Sequence, residues 1–361
     1  MRCLFVIPRM GGGGAERVLA NQANVFSKLG HDVTLMTIVG GKSFYTLDDA
    51  VKYISADATV NRKNKFTLLF SETIGFVKSF FNFRKNIKTL KPDFVFSQQR
   101  QADIICYIVK KSGVKFKHIC YEINDPFVRS NITKKILAKI FGDSDLLVCQ
   151  SKTVKEFYNF VPRCEVIPNP INPKAIPKRV QPSSRRIVAV GRLDKQKNFE
   201  MLIDSFAEVV KSIPECTLDI YGEGPLHEVL QRQIDLKGLT ESVKLRGACS
   251  NVLDLIKDAS AFAMSSDYEG MPNALLEAMS IGLPVISTDF KTGVAKELID
   301  KKNGRVVPVG DCQAFAKAIV EVLLDNSIVE SAWVESPRKM HDFYNDEIME
   351  KWLSTFNSVC K

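Results

Sequence analysis

Glu269 and Glu277, with seven residues between them, stand in the run Asp267-Tyr268-Glu269-Gly270-Met271-Pro272-Asn273-Ala274-Leu275-Leu276-Glu277. Gly270 and Pro272 mark a junction from loop to helix, with proline near its favoured first-turn position. Glu269 then closes a loop, and Glu277 lies about one turn into a helix. Carboxylates so placed reach two parts of one extended ligand. The amides of residues 271 to 274 lie open at the helix N-terminus to hold a phosphate between them. The plainer alternative is that Glu269 caps the helix and Glu277 is a surface glutamate.

Two further clusters favour anions. Gly191-Arg192-Leu193-Asp194-Lys195-Gln196-Lys197-Asn198 follows an apolar run. Arg192 falls at the carboxyl end of a strand. Lys197 falls near the start of the next helix, whose positive end adds to its attraction for phosphate. A solvated basic loop is the alternative. Gly11-Gly12-Gly13-Gly14 likewise lies between a strand and a helix, where glycine lets a ligand approach free backbone amides. A tight turn without a ligand explains it equally well.

The elements that must position these residues alternate along the chain. Cys3–Pro8 reads as a strand. Ala15, Val18, Leu19, Gln22, Ala23, Phe26 and Leu29 follow at helical spacing, with Gly30 as the C-cap. Strands are expected at Asp32–Thr37, Phe94–Ser97, Phe116–Cys120 and Leu146–Gln150. Prolines crowd the segment from Pro168 to Pro182, which excludes a helix or central strand and marks a linker. The alternation restarts with a strand at Ile187–Val190 and a helical stripe from Phe199 to Val210. Strands follow at Thr217–Tyr221, Val243–Leu245, Phe262–Met264, Pro284–Ser287 and Val306–Val307. Helices are expected at Cys312–Leu324 and Tyr344–Val359. The pattern is that of two doubly wound α/β domains in tandem, with ligands beyond the carboxyl ends of the strands and in the cleft between the domains.

Other chemistries fail on spacing. Gly40-Gly41-Lys42-Ser43 would need glycine at Met36 to form a P-loop, and Gly11–Gly14 would need glycine at Glu16 for a dinucleotide fingerprint. Asp143-Ser144-Asp145 precedes a strand and reads as a turn. The nine cysteines include no Cys-x-x-Cys pair, so neither a disulfide framework nor a zinc site is expected. The opening apolar run is shorter than a signal-peptide core, and no stretch of about 18 apolar residues occurs to span a membrane. A reducing cytoplasm is the expected compartment.

The net charge of +9 is unevenly spread. Residues 1–175 carry 27 Lys and Arg against 14 Asp and Glu, and residues 176–361 carry 23 against 27. A basic first half favours a polyanion such as a membrane surface or a pyrophosphate. No nucleic-acid motif accompanies it, so nucleic acid is not expected as a partner.

Several motifs occur in a familiar order. They are Gly11–Gly14 with Ala15-Glu16-Arg17-Val18, Gly191-Arg192 with Lys197-Asn198, Tyr221-Gly222-Glu223-Gly224-Pro225 and Leu245-Arg246-Gly247. Glu269 with Glu277, Gly282-Leu283-Pro284-Val285-Ile286 and Asn303-Gly304 follow. Together they make the chain resemble the group 1 retaining glycosyltransferases of GT-B fold, in particular bacterial enzymes that extend lipid-linked oligosaccharides or surface polysaccharides. The resemblance implies two facing Rossmann-like domains, residues 1–170 and 171–339, with residues 340–361 crossing back to the first.

The same resemblance implies a UDP-sugar or similar donor in the second domain and a lipid-pyrophosphate-linked sugar acceptor at the first. Arg192 and Lys197 would grip the diphosphate. Glu269 would contact donor-sugar hydroxyls and Glu277 the ribose. Gly14, Gly222, Gly224, Gly247, Gly270, Met271, Pro272, Asn273 and Ala274 would line the donor. Neither metal nor cofactor is implied. The location implied is the cytoplasmic face of the membrane, held peripherally. Many members carry a basic residue after Ser-Glu at the end of the fifth strand. Ile123 stands there in this chain, so Asn124 or Asp125 is expected to take over its contacts. The rival functions are a nucleotide-sugar epimerase and a non-catalytic partner in a polysaccharide assembly complex.

One more stretch bears on the acceptor. Phe76, Phe80, Phe83, Ile87 and Leu90 recur as one face of a helix. Lys78, Lys85 and Lys88 lie away from that face, and Glu72 is the only acid between Asn61 and Lys91. These lysines are expected to meet anionic lipid or the acceptor's pyrophosphate. The alternative is a solvated basic face.

Overall fold

The computed structural model describes residues 1–55, 80–172, 176–182, 184–249 and 251–360. The chain forms two compact units, Met1–Pro170 with Ile348–Lys361, and Ile171–Glu347.

The first unit runs β1 (Arg2–Ile7), α1 (Gly14–Lys28), β2 (Asp32–Thr37), β3 (Lys52–Ser55), α2 (residues 80–90), β4 (Phe94–Gln98) and α3 (Arg100–Lys111). It continues with β5 (Lys117–Glu122), α4 (Asn131–Gly142), β6 (Leu146–Cys149), α5 (Lys152–Phe157) and β7 (Cys164–Val166). The strands are parallel in the order β3-β2-β1-β4-β5-β6-β7. Helices cover both faces, so the central strands are continuously apolar. Cys3 to Ile7 are all buried.

The second unit runs β8 (Arg186–Val190), α6 (Phe199–Ser212), β9 (Thr217–Tyr221), α7 (His227–Leu236), β10 (Val243–Gly247), α8 (Val252–Ile256) and β11 (Ala261–Met264). Then come α9 (Asn273–Ile281), β12 (Val285–Thr288), α10 (Val294–Leu298), β13 (Gly304–Val307), α11 (Cys312–Leu324) and α12 (Asn326–Met340). The sheet order is β10-β9-β8-β11-β12-β13, again parallel. In each sheet the first strand lies beside one that comes later in the chain, β1 beside β4 and β8 beside β11. There the winding reverses and opens a crevice at the strands' carboxyl ends.

The last helix, α13 (Asn345–Cys360), returns to the first unit. Trp352 and Phe356, one turn apart, lie in a cluster with Phe5, Phe26 and Phe96. Phe5 stacks on Phe96 at 4.5 Å, and Trp352 meets Phe96 edge-on at 5.7 Å. Ile171 N donates to Phe343 O at 2.7 Å and Asn345 N to Ile171 O at 3.0 Å. These bonds tie the strand of chain entering the second unit to the one leaving it.

β3, β7 and α12 go unmarked by sequence pattern. The two strands are short edges. α12 contains Pro337, normally a helix breaker, yet Ile328, Ala332, Ser336 and Met340 recur every fourth residue as its buried stripe. Packing of that stripe overrides the lost backbone donor.

A polar knot is sealed between β4, β5 and α3. Ser97 Oγ donates to Asp103 Oδ1 at 2.6 Å and lies 2.9 Å from His118 Nε2. All three residues are buried. Burial raises the Asp103 carboxyl well above the carboxylate range. Burial, then Lys110, lowers His118 to about 3. The native state thus favours protonated Asp103. Its contribution is full below the unfolded-state value of about 3.9 and fades as pH rises toward the raised native value. Asp103→Asn keeps the shape without that penalty. Its melting temperature relative to wild type should climb from pH 5 to pH 8. A difference independent of pH would show that Asp103 is ionised in the fold. His118 is common to both proteins and cancels.

Candidate functional site

Pairing of Ala261 with Ile187 and of Phe262 with Val188 sets β11 beside β8. The loops leaving their carboxyl ends, residues 191–198 and 265–272, therefore run side by side and are laced together. Asp267 N donates to Gln196 O at 2.9 Å and Ser265 Oγ to Lys197 O at 2.8 Å. Gln196 Nε2 donates to Tyr268 O at 3.0 Å and Asn198 Nδ2 to Asp267 Oδ1 at 2.7 Å. Asn198 takes the left-handed conformation, φ 47°, which asparagine tolerates. From there its side chain caps α6 by accepting from Met201 N.

This lacing brings Lys197 to Glu269. Lys197 Nζ lies 2.5 Å from Glu269 Oε1. Ser266 Oγ donates to the same oxygen at 2.7 Å, Gln196 Nε2 to Oε2 at 3.3 Å, and Thr292 Oγ1 to the Glu269 carbonyl at 3.0 Å. Only 7% of the Glu269 side chain and 18% of the Lys197 side chain are exposed. The carboxylate engages a lysine, an amide and a hydroxyl, so Glu269 is not a helix cap. Lys197 is likewise no solvated loop lysine. Its stem packs on Gly191, where a Cβ would come within 3.0 Å of Lys197 Cε. Arg192 differs: 72% of its side chain is exposed, and its Nε lies 3.8 Å from Asp194 Oδ2.

The glycines after β9 support this loop from behind. At Gly222, φ is +145° and a Cβ would sit 1.8 Å from Gly191 O, so only glycine fits. Gly224 abuts the Leu193 backbone in the same way. Leu193 N donates to Glu223 O at 3.0 Å and Gly222 N to Gly247 O at 2.8 Å. Gly222, Gly224 and Gly247 thus shape the Arg192 loop.

Glu277 is half-buried in the second turn of α9, and Gly270 and Ala274 are half-buried at its start. Met271 and Pro272 are buried. The expected row of four free amides is corrected here. Pro272 has no N–H, and Asn273 N donates to Met271 O at 3.0 Å.

In the first unit, Gly14 opens α1 directly after the β1 loop. Tyr45 OH donates to Gly13 O at 3.0 Å and Phe44 N to Met10 O at 3.0 Å, which fixes the glycine run. Asn124 is exposed after β5. Asp125 is buried, and its Oδ1 accepts from Phe127 N at 2.7 Å. That carboxylate serves the turn, which leaves Asn124 as the outward member of the pair. Sequence spacing gave no sign of the group that holds this turn. Arg129 forks onto both oxygens of buried Glu122, Tyr158 OH donates to Glu122 Oε2 at 3.0 Å, and Asn124 N to Oε1 at 3.0 Å. Burial, then the Glu122 charge, raises the Tyr158 phenol.

On α2, Phe83 and Ile87 are buried while Lys85, Lys88 and Phe81 are exposed. Lys78 lies outside the described residues. Among the described residues no helix is long and apolar enough to cross a membrane, and no cluster of three metal-binding side chains occurs.

Comparison with known proteins bears on both units. Residues 12–175 match the family described as Glycosyltransferase Family 4, and residues 184–325 match Glycosyl transferases group 1. A Campylobacter jejuni relative is 29% identical over 99% of both chains. It is named GalNAc-alpha-(1->4)-GalNAc-alpha-(1->3)-diNAcBac-PP-undecaprenol alpha-1,4-N-acetyl-D-galactosaminyltransferase. The amylovoran biosynthesis glycosyltransferase AmsD of Erwinia amylovora is 25% identical over 96% of both. Among solved structures, Anabaena HepE with UDP and glucose superposes with a TM-score of 0.80 at 18% identity. The match covers 99% of this chain and all of that one.

The buried pair makes a prediction about stability. Lys197→Met strands the Glu269 carboxylate and should cost about 3 kcal/mol in urea unfolding, as does breaking a buried ion pair from one side. Lys197→Met combined with Glu269→Leu should cost less than the sum of the two single changes. Strict additivity would mean that the two side chains do not interact.

Proposed function

The chain belongs to the group 1 glycosyltransferases of GT-B fold, and we propose that it moves a hexose or N-acetylhexosamine from a UDP-sugar to a lipid-pyrophosphate-linked sugar, with retention at the anomeric carbon. The acceptor class is supported by the full-length Campylobacter relative, whose name specifies an undecaprenol diphosphate glycan. The observation that carries the catalytic reading is the buried Lys197–Glu269 pair at the switch point of the second unit.

As the glycosidic bond breaks, negative charge grows on the leaving diphosphate. Lys197 and Arg192 stand at the carboxyl end of β8, where cations stabilise the charge that develops on the departing group. A diphosphate is a stronger anion for Lys197 than one carboxylate. Once Lys197 turns to it, Glu269 offers its oxygens to the hydroxyls of the transferred sugar. Glu277 takes the ribose hydroxyls, with Gly270, Met271 and Ala274 beside the diphosphate. Asn124 reads the donor sugar where Ile123 cannot. The acceptor hydroxyl bonds to the anomeric carbon as its proton passes to the departing phosphate oxygen. Bond making and breaking on one face retains the configuration. No step in this scheme calls on a metal ion or cofactor. Lys85 and Lys88 on α2 meet the acceptor's pyrophosphate or anionic lipid, so the protein works peripherally at the cytoplasmic membrane face.

The test is transfer from a panel of nucleotide-sugars to a polyprenyl-diphosphate-linked oligosaccharide, with the product anomer read by NMR. An inverted product, or no transfer from any donor, would refute the proposal. The two glutamates should separate kinetically. Glu269→Gln should mainly lower kcat, because it touches the reacting sugar. Glu277→Gln should mainly raise the donor KM, by about tenfold, because ribose contacts change little along the reaction. The reverse pattern would overturn the two roles.

A further inference from the structure

Helices α2, α3 and α4 lie on one face of the first unit's sheet, over β1, β4, β5 and β6. They are joined side by side. Arg84 Nε on α2 donates to Ser112 Oγ at the end of α3 at 3.2 Å. Arg100 on α3 donates to Thr133 Oγ1 on α4 at 3.4 Å. Each of the three carries three lysines or arginines. Their one acidic residue, Asp103, is buried in the polar knot. On the opposite face of the sheet, α1 and α13 mix both signs, with Glu16, Asp346, Glu347 and Glu350 among their bases.

The bases of this layer are not equally available. Lys110 and Lys111 on α3 are paired with Asp145 and Asp143. Lys135 and Lys139 on α4 are exposed and form no ion pair among the described residues. One turn apart, they alternate with Ile132 and Ile136, which are 73% and 44% exposed. The inner side of α4 is already complete, with Leu137, Ile140 and Phe141 buried in the core. Val128, 54% exposed, stands four residues before Ile132. Two isoleucines and two lysines without an ion pair among the described residues thus share one exposed helix face. Asp143, just past α4, is within electrostatic reach of Lys139 but is taken up by Lys111. Branched apolar side chains among lysines match the boundary of an anionic bilayer, where the chains enter the acyl edge and the ammonium groups meet headgroups.

We propose that the outer face of α4, together with Val128, is a docking surface for an anionic lipid bilayer. It extends the contact of Lys85 and Lys88 on α2 across the helix layer. The proposal rests on the reading of a lipid-linked acceptor, but it is measured without any transfer reaction.

The experiment is co-sedimentation of the full chain with phosphatidylglycerol-containing vesicles and with pure phosphatidylcholine vesicles. Wild type should prefer the anionic vesicles, and salt should weaken its binding. Lys135→Gln with Lys139→Gln should lower the partition coefficient roughly thirtyfold, the effect of two headgroup charges. Lys28→Gln on α1, at the opposite face, should change it less than twofold. Ile132→Ser with Ile136→Ser should weaken binding even at high salt. These side chains are exposed, so the melting temperatures should stay at the wild-type value. Should the isoleucine pair lower it, the lysine pair decides alone. Partition of the lysine pair within twofold of wild type, or a wild type that does not distinguish the two vesicles, would overturn the proposal. Turnover of a short-chain, water-soluble acceptor should be the same for both pairs as for wild type. If wild type turns over no acceptor, the transferase reading fails, while the vesicle result still decides the docking surface.

Discussion

The adjacency of β8 and β11 is the constraint on which the second unit's chemistry depends. Strand order places these two parallel strands side by side although some seventy residues of chain separate them. The crossovers send the chain to one side of β8 and then back to the other. The carboxyl ends of β8 and β11 are therefore the place where two loops can meet without an intervening connection. Lys197 comes from one loop and Glu269 from the other, and their ion pair sits among Ser266, Gln196 and Thr292. A charge buried this far would be expensive alone. Paired and hydrogen-bonded, it is held at one position ready for a ligand.

The backbone around the pair is built to keep it there. Gly191 leaves room for the lysine stem, and Gly222 leaves room for the Gly191 carbonyl. A side chain at either position would push the loop, and Lys197 with it, away from Glu269. In the first unit the Glu122–Arg129–Tyr158 group does related work by fixing the turn that presents Asn124. In both units a buried carboxylate and a cation set the shape of a loop at the end of a strand. The difference is exposure of what lies beside them. Arg192 stands largely in solvent next to the first pair, whereas the second is enclosed by the turn it supports.

Much of this was legible in the sequence because it is local. The strand–helix alternation, the proline-rich boundary and the apolar stripe of α13 are periodic patterns within one segment. So is the loop-to-helix step from Glu269 to Glu277. The rest depends on residues distant in sequence. That Glu269 would face Lys197 rather than cap α9 follows from strand order, which no short window contains. Asp125 looked as available as Asn124 until the turn placed one inside and the other out. α12 was hidden by Pro337, a local signal that tertiary packing overrides. The amides before α9 were over-counted for a simpler reason: Pro272 has no proton to offer, and Met271 O takes that of Asn273.

The +13 balance over residues 1–175 acquires a direction only once the helices are laid on the sheet. Lysines counted along a chain say that a polyanion is favoured, not where it sits. The fold sorts them. α1 and α13 cover one face with charges of both signs, while α2, α3 and α4 bring the excess to the other. The acids that neutralise this second layer, Asp143 and Asp145, follow α4 and reach back to α3, so the surplus remains on the outer helices. Phe81 on α2 and Ile132 and Ile136 on α4 are exposed on this layer, while Leu29 at the end of α1 and Phe44 are exposed elsewhere in the unit. Charge and hydrophobicity are independent properties of a sequence, and folding for stability alone does not require them to gather on one surface. Their coincidence on α2 and α4 distinguishes that surface from the α1 and α13 face, where charges of both signs mix.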